Sequence, residues 1–304
     1  MGWAENGEER IGQESLPPCT RAAMSRSWRK SLRPEAKQTR VMALGHPDPS
    51  RYPALGIWRL LRFGYVTAKT IATCTEEARF RSVEPRQSAL WMNKWSATVL
   101  RSLGVEVDCC GILPPSGALI VANHRSYIDI AVIAAQTPCS FLAKEEVAHW
   151  PLVGYGARKF ANIVFVKRDS LASRGLSITA MRSILRAGVS VALFPEGTTS
   201  RGPGLLPFRP GMFRLAARDG FPVVPVALEY RDPSDAWVGE DTFVGHFLKT
   251  FSKPRISVRV HFGPVLNSSE GVTLQKGAWH WISSVLGQES REPPESNLNK
   301  REKG

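Results

Sequence analysis

A histidine stands five residues ahead of an aspartate in Asn123-His124-Arg125-Ser126-Tyr127-Ile128-Asp129, directly after the apolar run Ala118-Leu119-Ile120-Val121-Ala122. Residues i and i+5 lie about 140° apart on a regular helix, so His124 and Asp129 cannot share a helical face. The spacing therefore puts His124 in a strand-to-helix turn, with Asp129 returning to it from the first helical turn. An imidazole held this way can take a proton from a hydroxyl, while the carboxylate fixes its tautomer and stabilises the imidazolium. A pair this close in sequence is common, and alone it proves little. A second stretch, Phe194-Pro195-Glu196-Gly197-Thr198-Thr199-Ser200-Arg201-Gly202, also ends an apolar run. Its small and hydroxylic residues leave backbone N–H groups accessible, and Arg201 adds a phosphate partner. By itself it would be a Gly-rich turn with Glu196 as a solvated charge. A third, Phe165-Val166-Lys167-Arg168-Asp169, is a strand ending in two cations, which alone reads as a surface charge pair.

Elements that could position these residues alternate along the chain. Short buried-strand runs occur at 118–122, 140–143, 163–166, 189–194 and 222–228. Ile256–Phe262 alternates with period two, as an edge or half-exposed strand would. Helical stretches separate several of them, notably Leu171–Ala187 before Gly188 and Gly211–Arg218 before Gly220. The expected class is α/β: a mixed, largely parallel sheet flanked by helices, with chemistry where strands end and helices begin. Two amphipathic helices precede it. On a helical wheel, Ile57–Thr73 gathers Arg59, Arg62 and Lys69 opposite Ile57, Leu60, Leu61, Gly64, Ala68, Ile71 and Ala72, with Trp58 and Tyr65 at the boundary. Ser88–Leu103 repeats the theme, with Trp91 and Trp95 one turn apart beside Lys94 and Arg101. Such helices suit a membrane interface; the bland alternative is that they cap the sheet with basic side chains snorkelling outward. The expected organisation is a disordered leader over 1–52, membrane-interface helices over 53–104, an α/β domain over 105–286 and a solvated tail over 287–304.

Composition bounds the partners. The 304 residues are 43% hydrophobic and 22% charged, which is ordinary globular composition, and carry a formal net charge of +13. That balance favours an anionic partner: nucleic acid, an anionic bilayer or a phosphorylated metabolite. No nucleic-acid module is recognisable, and the aromatics cluster on apolar helices and not along an open basic groove. Five cysteines, with no C-x-x-C pair, suggest neither a disulfide framework nor a zinc knuckle. No apolar run reaches the roughly 18 residues of a spanning helix, and the charged first thirty residues lack a signal-peptide core. Gly188-Val189-Ser190-Val191-Ala192 only approximates a nucleophile elbow. His46, His149, His246, His261 and His280 are scattered and read as surface or packed residues.

In this order and spacing, the motifs resemble the glycerolipid acyltransferase family, which includes bacterial 1-acyl-sn-glycerol-3-phosphate acyltransferases. Its four blocks are matched by Asn123–Asp129, by Asn162–Arg168, by Phe194–Arg201 and by Val223–Leu228, and the likeness spans roughly residues 54–286. The resemblance implies transfer of an acyl group from acyl-CoA or acyl carrier protein to a lysolipid hydroxyl, with no metal and no other cofactor. His124 would be the general base and Asp129 its orienting partner. Arg168 would grip the acceptor's phosphate, with Glu196, Gly197, Thr198, Thr199 and Arg201 shaping the acceptor site. One departure stands out: many phosphatidate-forming members have arginine where this chain has Thr199. The run Glu-Gly-Thr-Thr-Ser-Arg looks like members that acylate lysophospholipids or lyso-ornithine lipids, and Arg201 or Arg209 is placed to supply the missing charge. The implied location is the cytoplasmic face of a membrane, as a peripheral or monotopic protein on an anionic surface without nucleic acid. The competing readings are a catalytically dead lipid-binding member, against which the intact His124, Asp129, Arg168 and Glu196 argue, and a nucleic-acid binder suggested only by charge.

Overall fold

The computed structural model describes residues 53–287 apart from 81, 168, 169 and 240; the expected leader over 1–52 and nearly all of the tail over 287–304 lie outside the described residues. Two helices come first, α1 (Pro53–Ala78) and α2 (Pro85–Leu103), followed by β1 (Val105–Gly111), β2 (Leu119–Ala122), α3 (Ile128–Gln136) and β3 (Cys139–Lys144). Then come α4 (Val153–Lys159), β4 (Val164–Val166), α5 (Leu171–Arg186), β5 (Ser190–Leu193), α6 (Gly211–Asp219), β6 (Val223–Tyr230), α7 (Phe243–Phe251), β7 (Ile256–Phe262) and α8 (Gly271–Val285).

The strands form one sheet in the order β1-β7-β6-β2-β5-β3-β4. Every neighbouring pair is parallel except β6 with β7. Central β2 and β5 are buried at every residue, as parallel strands covered on both faces must be. On one face α2, α3 and α7 contribute Val99, Ile133 and Phe247 to an apolar cluster, and on the other α5, α6 and α8 contribute Met181, Phe213 and Trp279. The expected mixed, largely parallel α/β sheet is what forms.

Two expectations about strands change. Polar Glu106 and Asp108 hide β1 from a hydrophobicity reading, yet it pairs with β7 along its whole length. This moves β7 inward: it lies between β1 and β6 and is buried nearly throughout, so it is not an edge strand. Two of its alternating polar residues find partners on the neighbouring strands. Arg259 Nε donates to Asp108 Oδ2 at 2.8 Å, and a ring nitrogen of His261 lies 2.7 Å from Glu229 Oε2.

The leading helices also depart from the wheel. Arg59 is only 6% exposed and is not part of a surface basic ladder. Its guanidinium donates to the carbonyls of Phe251, Lys253 and Pro254 at the end of α7, where unpaired carbonyls and the negative helix pole favour a cation. Gly104, the left-handed C-cap of α2, leaves room for it: a Cβ there would lie 2.1 Å from Arg59 Nη2. Trp91 and Trp95 face inward as well. Trp91 donates to Glu77 Oε2 at 2.7 Å and Trp95 to Thr67 Oγ1 at 3.2 Å, tying α2 to α1. What α1 turns outward is Ile57, Trp58, Leu61 and Tyr65, each more than half exposed, with Arg62 stacked 5.0 Å over the Trp58 ring. No described helix is long and apolar enough to cross a membrane.

Candidate active site

His124 stands two residues beyond the end of β2, and its position is fixed from three sides. The preceding Asn123 extends the strand pairing with its side chain: Nδ2 donates to the Leu228 carbonyl at 3.0 Å, and Oδ1 accepts from Leu228 N–H at 2.8 Å. Asp129, in the first turn of α3, reaches back so that its Oδ2 lies 2.8 Å from His124 Nδ1. Phe194, at the end of β5, stacks on the imidazole with centroids 3.9 Å apart and planes 8° from parallel. With Nδ1 engaged, Nε2 is left to accept a proton.

Asp129 is fully buried and saturated with donors. Oδ2 also accepts from the Arg125 and Ser126 amides at 2.7 and 2.9 Å, and Oδ1 accepts from the Tyr230 hydroxyl at 2.6 Å. Burial and the neighbouring Asp129 charge hold the Tyr230 phenol far above its ordinary range, so it stays a donor. Sequence reasoning missed Tyr230, which lies 101 residues from Asp129. Its only local signal was its place at the end of a buried run.

The loop after β5 is clamped onto the dyad. Ser200 N–H donates to the His124 carbonyl at 3.0 Å. The buried Arg125 guanidinium donates to the Ser200 hydroxyl and to the carbonyls of Ser200 and Gly204. Arg125 belongs to the first motif, but nothing in the sequence showed that it holds the third. Glu196 is buried, and burial pushes its carboxyl up to about 8. The Arg125 charge and the His124 and Leu206 amides oppose that shift, yet neither carboxyl oxygen makes a hydrogen bond of ordinary geometry. Gly197 adopts φ +77°, and a Cβ there would lie 2.8 Å from Arg209 Nε, so this glycine seats the Arg209 side chain. Thr198, Thr199 and Arg209 line the same cavity as His124, while Arg201 is exposed outside that lining. Arg168 lies outside the described residues.

That cavity has a volume of about 1150 Å³. Its polar end carries His124, Thr198, Thr199 and Arg209; it then runs between α1, α2 and α5 past Ile71, Trp91, Phe160 and Met181. Ordinary small-molecule sites occupy roughly 300–1,000 Å³, so this one has room for a long apolar chain with a polar head. Among the described residues, no group of three or more His, Cys, Asp or Glu is arranged to hold a metal ion.

An oriented His–Asp dyad with a buried carboxylate opens onto an apolar chain-sized cavity in an α/β sheet, an arrangement suited to proton transfer at the polar end of a lipid-like molecule. Comparisons with known proteins narrow this to one family. Residues 106–229 match the Acyltransferase family. The chain is 36% identical to a 1-acyl-sn-glycerol-3-phosphate acyltransferase of Neisseria meningitidis over 176 residues, covering 55% of this chain and 68% of that protein. It is 35% identical over 171 residues to a lyso-ornithine lipid O-acyltransferase of Pseudomonas aeruginosa, covering 55% and 66%. The crystal structure of the 1-acyl-sn-glycerophosphate acyltransferase PlsC from Thermotoga maritima shares the fold, with a TM-score of 0.55 at 21% identity over 77% of this chain and 99% of that one. The chain belongs to the glycerolipid acyltransferase family, and it is an acyltransferase.

Proposed function

We propose that this enzyme transfers a fatty acyl group from an acyl thioester, acyl-CoA or acyl carrier protein, to the free hydroxyl of 1-acyl-sn-glycerol 3-phosphate, giving phosphatidate. The observation that carries this reading is the His124–Asp129 dyad at the polar end of the apolar cavity. His124 Nε2 takes the proton of the acceptor hydroxyl as its oxygen attacks the thioester carbonyl. The carbon–sulfur bond then breaks, and the imidazolium returns its proton to the departing thiolate. Asp129, held by Tyr230 and two amides, stabilises the imidazolium throughout. Arg209, Thr198 and Thr199 receive the phosphate, aided by Arg168 as the family resemblance implies. Glu196 and Gly197 shape the acceptor site, and Arg201 contributes charge at its rim. The thioester is a co-substrate, and the reaction as written draws on no other cofactor.

A second acceptor is favoured by Thr199, which stands where many phosphatidate-forming members carry arginine, and by the likeness to a lyso-ornithine lipid O-acyltransferase. A thiol-release assay with acyl-CoA and both acceptors on one preparation separates the two. Thr199→Arg should raise the kcat/KM ratio toward lysophosphatidate. An unchanged ratio would mean that Arg209 already meets the phosphate; faster turnover of lyso-ornithine lipid by the native enzyme would overturn the first reading. The lipid acceptor places the work at a membrane surface, and the exposed Trp58, Leu61 and Tyr65 beside Arg62 and Lys69 fit an anionic one. We place that surface on the cytoplasmic side, with the protein peripheral or monotopic. Nucleic acid has no part in this reading.

A further inference from the structure

We infer that Cys110, His261 and Glu229 form a second nucleophilic site, a thiol activated toward small uncharged soft electrophiles, separate from the acyl-transfer cavity. The three residues come from three adjacent strands. Cys110 on β1 is the register partner of His261 on β7, and His261 pairs in turn with Ala227 on β6, which sets Glu229 one diagonal step away on the same face. Cys110 Sγ lies 3.3 Å from His261 Nδ1, and His261 Nε2 lies 2.7 Å from Glu229 Oε2. Glu229 accepts the Nε2 proton, which fixes the tautomer in which Nδ1 is bare and faces the thiol. A thiol, an imidazole bonded to it and a carboxylate orienting that imidazole are the parts of an activated cysteine nucleophile.

Accessibility follows the same logic. The His261 side chain is 9% exposed and engaged at both ring nitrogens, whereas Cys110 sits partly exposed on β1 at the sheet edge. Reactive thiols are partly exposed and placed beside a group that stabilises the thiolate. Other charges on this face come from the Asp108–Arg259 pair, one alternation back along β1 and β7, and from Glu106, a further alternation back and paired with Arg255. With Glu229 and Asp108 nearby, an uncharged electrophile is preferred to an anionic one. Neither Cys110 nor His261 lines the cavity of the His124 dyad. In the reaction, sulfur forms a bond to the electrophilic carbon as the thiol proton passes to His261 Nδ1. The bond to the leaving group breaks, and the group departs with its electron pair.

Iodoacetamide tests this on the full-length protein, with alkylation at each cysteine followed by peptide mass spectrometry. The products are a thioether at Cys110 and iodide. Cys109 is the internal comparator, since it has similar exposure but packs toward the apolar cluster on the other face. Buried Cys74 and Cys139 report the fold, because they react only if the protein opens. Cys110 should react at least tenfold faster than Cys109. His261→Asn should remove most of that advantage, and Glu229→Gln part of it, with Cys74 and Cys139 still protected. Equal rates at Cys110 and Cys109, or an advantage that survives His261→Asn, would overturn the inference. Should His261→Asn expose the buried cysteines, Glu229→Gln decides, and an unchanged Cys110 rate there overturns it too. Cys110→Ser should leave acyl transfer intact, so this site stands or falls apart from the proposed acceptor chemistry.

Discussion

The dyad depends on how one carboxylate is held. Asp129 receives four hydrogen bonds, and in the proposed mechanism only the one from His124 belongs directly to the reaction. His124→Ala should abolish transfer with the fold retained, since loss of a positioned base typically costs about 10²–10⁴ in rate. Tyr230→Phe is the sharper test. Without the phenol, Asp129 loses the contact that fixes its Oδ1 and holds His124 less well oriented, so kcat should fall while the acceptor KM stays nearly unchanged. The rate should fall about tenfold, equivalent to ~1.4 kcal/mol. An unchanged kcat would mean that the phenol merely packs. Glu196 makes a separate prediction. Burial raises its folded-state value from 4.5 to about 8, so between those values the native state holds a proton that the unfolded chain has released. Stability from this group is full below about pH 4.5 and is lost as pH rises toward 8. Glu196→Gln should flatten that slope in urea midpoints measured across the window; an identical slope would show the native carboxyl to be ionised. His124 and Asp129 were legible because their geometry is local, written into a five-residue spacing. Tyr230 and the clamp from Arg125 were not, because their partners lie about a hundred and about eighty residues away, and only the sheet brings them together.

At the scale of elements, the strands that are apolar on both faces declared themselves, while β1 and the position of β7 did not. Arg259 looks solvated in sequence, yet its side chain is buried and reaches Asp108, whose carboxylate stays exposed on β1. The same failure affected α1. A helical wheel shows which residues share a face but not which face docks, and Arg59 went to the protein because the end of α7 offers three carbonyls. Its neighbours on the wheel therefore have different consequences. Arg59→Gln should destabilise the fold by about 2–4 kcal/mol, since charged hydrogen bonds are worth roughly 1.5–3 kcal/mol each and their carbonyls would lose a cation. Arg62→Gln should change stability by less than ~0.5 kcal/mol, as exposed substitutions usually do. Thermal unfolding of the two variants side by side checks this; equal small effects would mean that the Arg59 contacts contribute little.

For the whole molecule, the proposed membrane contact rests on the outward face of α1. Ile57, Trp58, Leu61 and Tyr65 form an exposed apolar stripe, Arg62 and Lys69 flank it, and the inward face of the same helix helps line the cavity through Thr67 and Ile71. An acceptor leaving the bilayer along this helix would travel only from one of its faces to the other. The apolar stripe and the two cations should act separately. Each cation near an anionic surface contributes about 1 kcal/mol, so Arg62→Gln with Lys69→Gln should weaken binding to anionic vesicles roughly thirtyfold and leave binding to neutral ones nearly unchanged. Raising salt should reproduce that loss in the native protein, because exposed charges are screened within about 8–10 Å. Trp58→Ala with Leu61→Ala removes apolar area, so it should weaken binding to both vesicle types at every salt concentration. Flotation of the three proteins with each vesicle type separates the contributions. Binding that resists both sets of substitutions would move the membrane contact away from α1, and with it the route by which the acceptor reaches His124.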